Sequence, residues 1–149
     1  MLNRSLIENL AVRGTGTPGG AWPASAIVGS YEQMQGYHRA LLIGHVGALD
    51  ANVTLEVMEA TDDAGTSAQE LTGPTTGETF TNGTDESRVG LIEIRQGDLS
   101  AGYTHIAARI TGDAGQSLSA VFVFTDSEFD YPVSNGTADG VAFTAAATD

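Results

Sequence analysis

Between Tyr37 and Thr125, apolar residues recur at alternate positions in runs of eight to ten residues, and each run closes on a break rich in Gly or Asp. A period of two belongs to a β-strand with one buried face, and no stretch between the runs carries the spacing of an amphipathic helix. Five strands are therefore expected, over 37–46, 52–60, 89–96, 103–111 and 118–125. Val53, Leu55 and Val57 share one face, with Thr54 and Glu56 on the other; Ile92 and Ile94 point in, Glu93 and Arg95 out. Thr104, Ile106, Ala108 and Ile110 line one face of the fourth run, and Leu118, Ala120, Phe122 and Phe124 oppose Val121 and Val123 in the fifth. The run 37–46 is apolar on both faces and is expected at the centre of a sheet. The turn-like Gly47-Ala-Leu-Asp50 predicts that it forms an antiparallel hairpin with 52–60.

Strands at short spacing with turn signals between them predict an all-β chain, an antiparallel sandwich or jelly-roll-like barrel. The expected core is Leu41, Ile43, Val53, Leu55, Val57, Ile92, Ile94, Ile106, Ile110, Phe122 and Phe124. A chain of 149 residues suits one domain. Three regions are expected: an N-terminal arm with a Gly-rich hinge over 1–20, a body over 21–126, and a tail over 127–149. The hinge is Gly14-Thr-Gly-Thr-Pro-Gly-Gly20, which holds regular structure poorly. Residues 2–13 are compatible with a short helix or an extended, flexible arm. The long excursion 68–88 is polar, with a turn expected at Asn82-Gly83.

Charge narrows the partners. Nineteen Asp and Glu face six basic residues, a formal charge of −13, and every basic residue is an arginine. Such a surface repels phosphate backbones and anionic lipid, so neither nucleic acid nor membrane is an expected partner. It favours a partner with basic patches. The longest apolar run, Ala40 to Val46, is broken by Gly44 and His45 and falls far short of the ~20 residues of a membrane helix. The first residues have no apolar core of signal-peptide type, so synthesis in a cytoplasm is expected.

The residues that carry chemistry do not converge in the sequence. Without cysteine there are no thiolate metal sites and no thiol nucleophile. His38 and His45 are an odd number of residues apart and point to opposite faces of a strand, and His105 lies on another. No metal, cofactor or catalytic residue is expected. The acidic Asp62-Asp63 loop lacks the spaced oxygen ligands of a calcium loop and reads as a solvated turn. The run Gly14 to Gly19 lacks the lysine of a phosphate loop. N-x-T triplets at Asn52, Asn82 and Asn135, and N-x-S at Asn3, read as turn residues in the absence of a secretory signal.

Two stretches carry a resemblance. Gly36-Tyr-His-Arg-Ala-Leu-Leu-Ile-Gly-His-Val-Gly47 leads into Val53-Thr-Leu-Glu-Val-Met-Glu-Ala-Thr-Asp-Asp-Ala-Gly-Thr66, and Gly102-Tyr-Thr-His-Ile-Ala-Ala-Arg-Ile-Thr111 leads into the apolar strand after it. This pattern resembles the small β-domain virion proteins that tailed bacteriophages encode beside the major capsid protein. The likeness covers 36–66 and 90–125. It implies a structural virion component, a capsid decoration (cement) protein that binds the major capsid protein on the outer shell surface and assembles as a homotrimer. The alternatives are another virion β-domain at the tail, neck or fibre, and a carbohydrate or host-surface binding module. Under the leading reading, the terminal segments are expected to touch neighbouring chains through Arg4, Leu6, Leu10, Arg13, Trp22, Phe129, Tyr131 and Phe143, because aromatics and arginines dominate interface energy.

Overall fold

The computed structural model describes residues 11–14, 27–73, 77–112 and 118–127. Ten strands follow in order: β1 (Ala11–Gly14), β2 (Ile27–Val28), β3 (Glu32–Gln33), β4 (Tyr37–Val46), β5 (Val53–Ala60), β6 (Gln69–Glu70), β7 (Gly77–Phe80), β8 (Val89–Arg95), β9 (His105–Gly112) and β10 (Leu118–Ser127). They build two sheets, one ordered β1-β10-β4-β8 and the other β2-β9-β5-β6, with β3 also on β9 and β7 also on β5. Every pairing is antiparallel. The protein is a β-sandwich, as the period-two pattern predicts, and the five expected strands are its five long strands.

Their connection differs from the expected one. The long strands alternate between sheets: β4, β8 and β10 lie in the first, β5 and β9 in the second. The hairpin expected between 37–46 and 52–60 does not exist. Both edges of β4 are taken by β10 and β8, while β5 is held by β9, β6 and β7. The link between β4 and β5 carries Leu49, which is buried in the common core. A hairpin tip would leave that leucine in water, whereas a crossing between sheets buries it.

The core lies between the two inner faces. Leu42, Ile92, Ile94, Phe122 and Phe124 come from one sheet, and Val53, Leu55, Val57, Ile106 and Ile110 from the other. The Phe122 and Phe124 rings sit 5.8 Å apart at a tilt of 45°, and Tyr37 tilts onto Phe124 with ring centres 5.2 Å apart. Two expected core residues are corrected: Leu41 and Ile43 lie on the outer face of β4, half-buried, and Ala40, Leu42, Gly44 and Val46 face inward. Small residues select that face. Gly44 and Gly90 are cross-strand partners, and a Cβ on Gly44 would strike Leu55, while one on Gly90 would come within 2.6 Å of the Phe80 ring. The glycine pair is a notch into which the opposite sheet inserts Leu55 and Phe80, and no larger side chain on the inner face would permit it.

Among the described residues, one charged side chain is buried in the interior. Glu59 is fully buried at the end of β5, where its carboxylate accepts bonds from Gln69 Nε2 at 2.6 Å and the Ser100 backbone N–H at 2.8 Å. It ties β6 and the loop after β8 to the end of the sandwich. The arm expected over 1–20 contributes a strand at 11–14, which adds to the edge of β10.

Candidate interaction surface

The two outer faces differ. On the sheet containing β5 and β9, polar side chains are joined to one another. Arg109 donates from Nε to Glu56 and from Nη2 to Glu70, each at 2.7 Å, and Thr111 also donates to Glu56. The two carboxylates, Glu56 foremost, hold the Arg109 guanidinium above its ordinary pKa. Met58 and Ala107, cross-strand partners on this side, are buried. Tyr31 packs its ring on Gly65, whose φ of +78° and lack of a Cβ make the contact possible. Burial raises the Tyr31 phenol above its ordinary pKa, against a smaller opposing effect of Arg109.

The outer face of β10, β4 and β8 has an apolar middle, and Glu93 is the one carboxylate among its described strand residues. Register places Val121 beside Ile43 and Ile43 beside Leu91, with Val123 beside Leu41 and Leu41 beside Glu93. Val89 and Leu91 are 55% and 58% exposed, the largest exposures among the large hydrophobic side chains described. At one end, Glu93 lies between Arg39 at 3.8 Å and Arg95 at 3.4 Å. Arg39 and Arg95 flank Glu93 on this rim, and the Asp98 carboxylate accepts the Arg95 N–H beside them. Val89 and Leu91 with the half-buried Leu41, Ile43, Val121 and Val123 form the candidate interaction surface.

β8 is also a sheet edge, and among the described residues no strand pairs with its outer side. Antiparallel strands expose alternate backbone groups. The Val46 N–H donates to the Arg88 carbonyl, so even-numbered residues of β8 bond to β4. The odd-numbered residues, Val89, Leu91, Glu93 and Arg95, turn their N–H and C=O groups outward. The Arg95 N–H is met by the Asp98 carboxylate at 2.8 Å, and among the described residues no strand meets those of Val89, Leu91 and Glu93.

The residues named from the sequence fall elsewhere. Arg4, Leu6, Leu10, Trp22, Phe129, Tyr131 and Phe143 lie outside the described residues. Arg13 is in β1 opposite Phe122, and its side chain is likewise outside the description. His38 and His45 are exposed, and His105 is half-buried with Nδ1 2.8 Å from the Thr104 hydroxyl. Among the described residues no group of three His, Asp or Glu side chains could hold a metal ion. Asp62 closes its own loop, accepting the Thr66 N–H at 2.8 Å. Its pKa is lowered, mainly by the hydrogen bonds of Thr66. No described helix is long and apolar enough to cross a membrane.

Reading the sequence alone missed Val89, Leu91 and the outward face of β4. The available signal was apolar residues on both faces of a strand, which marks full burial or a docking face equally well. No family model and no curated protein matches the chain.

Proposed function

We propose that this chain is a structural virion protein of the capsid decoration type, which binds the major capsid protein on the outside of a phage head and stabilises the shell as a homotrimer. One observation carries the reading: the described sandwich presents exposed Val89 and Leu91 on a strand edge that no described strand pairs, in a strongly acidic chain. A protein whose work is adhesion needs such a surface. The residues that carry the resemblance, 36–66 and 90–125, supply all of β4, β5 and β9 and most of β8 and β10, so the likeness runs through both sheets. The negative body is steered toward basic surface on the shell, which makes assembly sensitive to salt.

The test is co-sedimentation of purified protein with undecorated shells, using the full chain, a Leu91→Lys variant and chains lacking 1–10 or 128–149. The reading expects the full chain to pellet with the shells and Leu91→Lys to weaken that binding. A full chain that stays in the supernatant at low salt rejects it.

A further inference from the structure

We propose that residues 129–133 of a second copy of this chain add as an antiparallel strand to the open edge of β8. The acceptor is built from the outward N–H and C=O groups of Val89, Leu91 and Glu93, beneath the exposed Val89 and Leu91 side chains. An unpaired strand edge of this kind is a template for another strand.

The donor is identified by its sequence. Phe129-Asp-Tyr-Pro-Val133 alternates apolar residues at 129, 131 and 133 with Asp130 and Pro132. Proline has no N–H and cannot donate to a ladder. Pro132 therefore has to turn its backbone away from β8, which turns Phe129, Tyr131 and Val133 toward it. Residues facing each other in a hydrogen-bonded antiparallel pair also project their side chains to the same side of the sheet. The same parity thus sets Tyr131 opposite Leu91, Val133 opposite Val89 and Phe129 opposite Glu93, whose carboxylate is held by Arg39 and Arg95. Two independent constraints, the missing donor and the apolar alternation, select one arrangement. Pro132 then faces solvent on the new edge and blocks further strand addition.

Reach excludes the chain's own segment. β10 ends at Ser127, in the row of Tyr37, and Arg39 of β4 is opposite Arg95. That row is six residues beyond Leu91 along β8, about 20 Å at ~3.3 Å per residue. A strand added outside β8 also lies three strand spacings from β10, about 14 Å. The path from Ser127 to a site opposite Leu91 is about 24 Å, and the four residues to Tyr131 span at most about 14 Å. A neighbouring copy has no such limit. Donor and acceptor are different surfaces, so each copy can give its own segment to one neighbour and take another's, and a ring such as the proposed homotrimer is one closed arrangement of that contact.

The inference concerns contact between copies and is tested on the isolated full chain, without shells, so its failure is separate from failure of the shell reading. Sedimentation is measured over a range of concentrations for the full chain and for Tyr131→Pro, Asp130→Pro and Leu91→Pro. The full chain should self-associate. Tyr131→Pro removes an N–H that faces β8 and should weaken association at least about tenfold, the scale of one lost backbone hydrogen bond. Asp130→Pro removes one that faces solvent and should associate like the full chain. Leu91→Pro should keep the strand signal in circular dichroism, since its N–H is not used by β4, and should lose association. Tyr131 and Asp130 belong to none of the described strands, and the comparison of their two variants tests the idea even if Leu91→Pro does not fold. A full chain that is monomeric throughout, or Tyr131→Pro and Asp130→Pro behaving alike, overturns the inference.

Discussion

Adjacent leucines on β4 test the inner face of the sandwich with the chemistry held constant. Leu42 is fully buried between the sheets, while Leu41 sits half-buried on the outer face. Leu42→Ala removes buried carbons from a packed interior beside its cross-strand partner Phe122 and leaves a space there. Its expected cost is about 3–5 kcal/mol, the sum of lost transfer energy and residual cavity. Leu41→Ala removes the same atoms from a surface that water already reaches, and should cost about 1 kcal/mol or less. The assay is urea unfolding followed by far-ultraviolet circular dichroism. With an m-value of about 2 kcal/mol per molar, Leu42→Ala should lower the midpoint by roughly 1.5–2.5 M and Leu41→Ala by under about 0.5 M. Equal shifts, or a larger one at Leu41, would refute the assigned face of β4.

Three further outcomes are expected. Gly90→Val should destabilise by about 1–3 kcal/mol in the same assay, because its Cβ meets the Phe80 ring and the Glu78 stem. Arg109→Leu leaves Glu56 and Glu70 facing each other without their shared donor, and should cost about 1–3 kcal/mol, less when Glu56→Gln is added. Asp62 has a lowered pKa, so its contribution is fully present above the ordinary carboxylate value near 3.8 and is lost as pH falls through the lower folded value. The stability difference between the protein and Asp62→Asn should therefore be constant above about pH 5 and shrink below about pH 4, as read from unfolding midpoints across that range.

The strands were legible because three of the five long runs, 52–60, 89–96 and 103–111, have a more polar face to set against an apolar one, and the other two are apolar runs closed by turn residues. Ile92 and Ile94 against Glu93 and Arg95 settle β8 without any partner. β4 was not legible in this way. Leu41, Leu42 and Ile43 are all apolar, and a one-residue slip turns every side chain over. Ala40, Gly44 and Gly90 settle the face through Leu55 and Phe80, which are distant in sequence. The sheet alternation of β4, β5, β8, β9 and β10 was hidden for the same reason: it rests on which strand edges are already occupied. The docking surface was half visible. Val89 and Leu91 fit the period-two pattern, but their exposure depends on β8 standing at an edge, a property of the sheet and not of the segment.

The most direct test of the decoration reading is the number of copies of this chain in purified phage particles, by quantitative mass spectrometry against the major capsid protein. The account predicts many copies per particle, in a fixed ratio to the shell subunit and lost together under shell-stripping conditions. A few copies confined to one vertex or to the tail, or none on the particle, would contradict it.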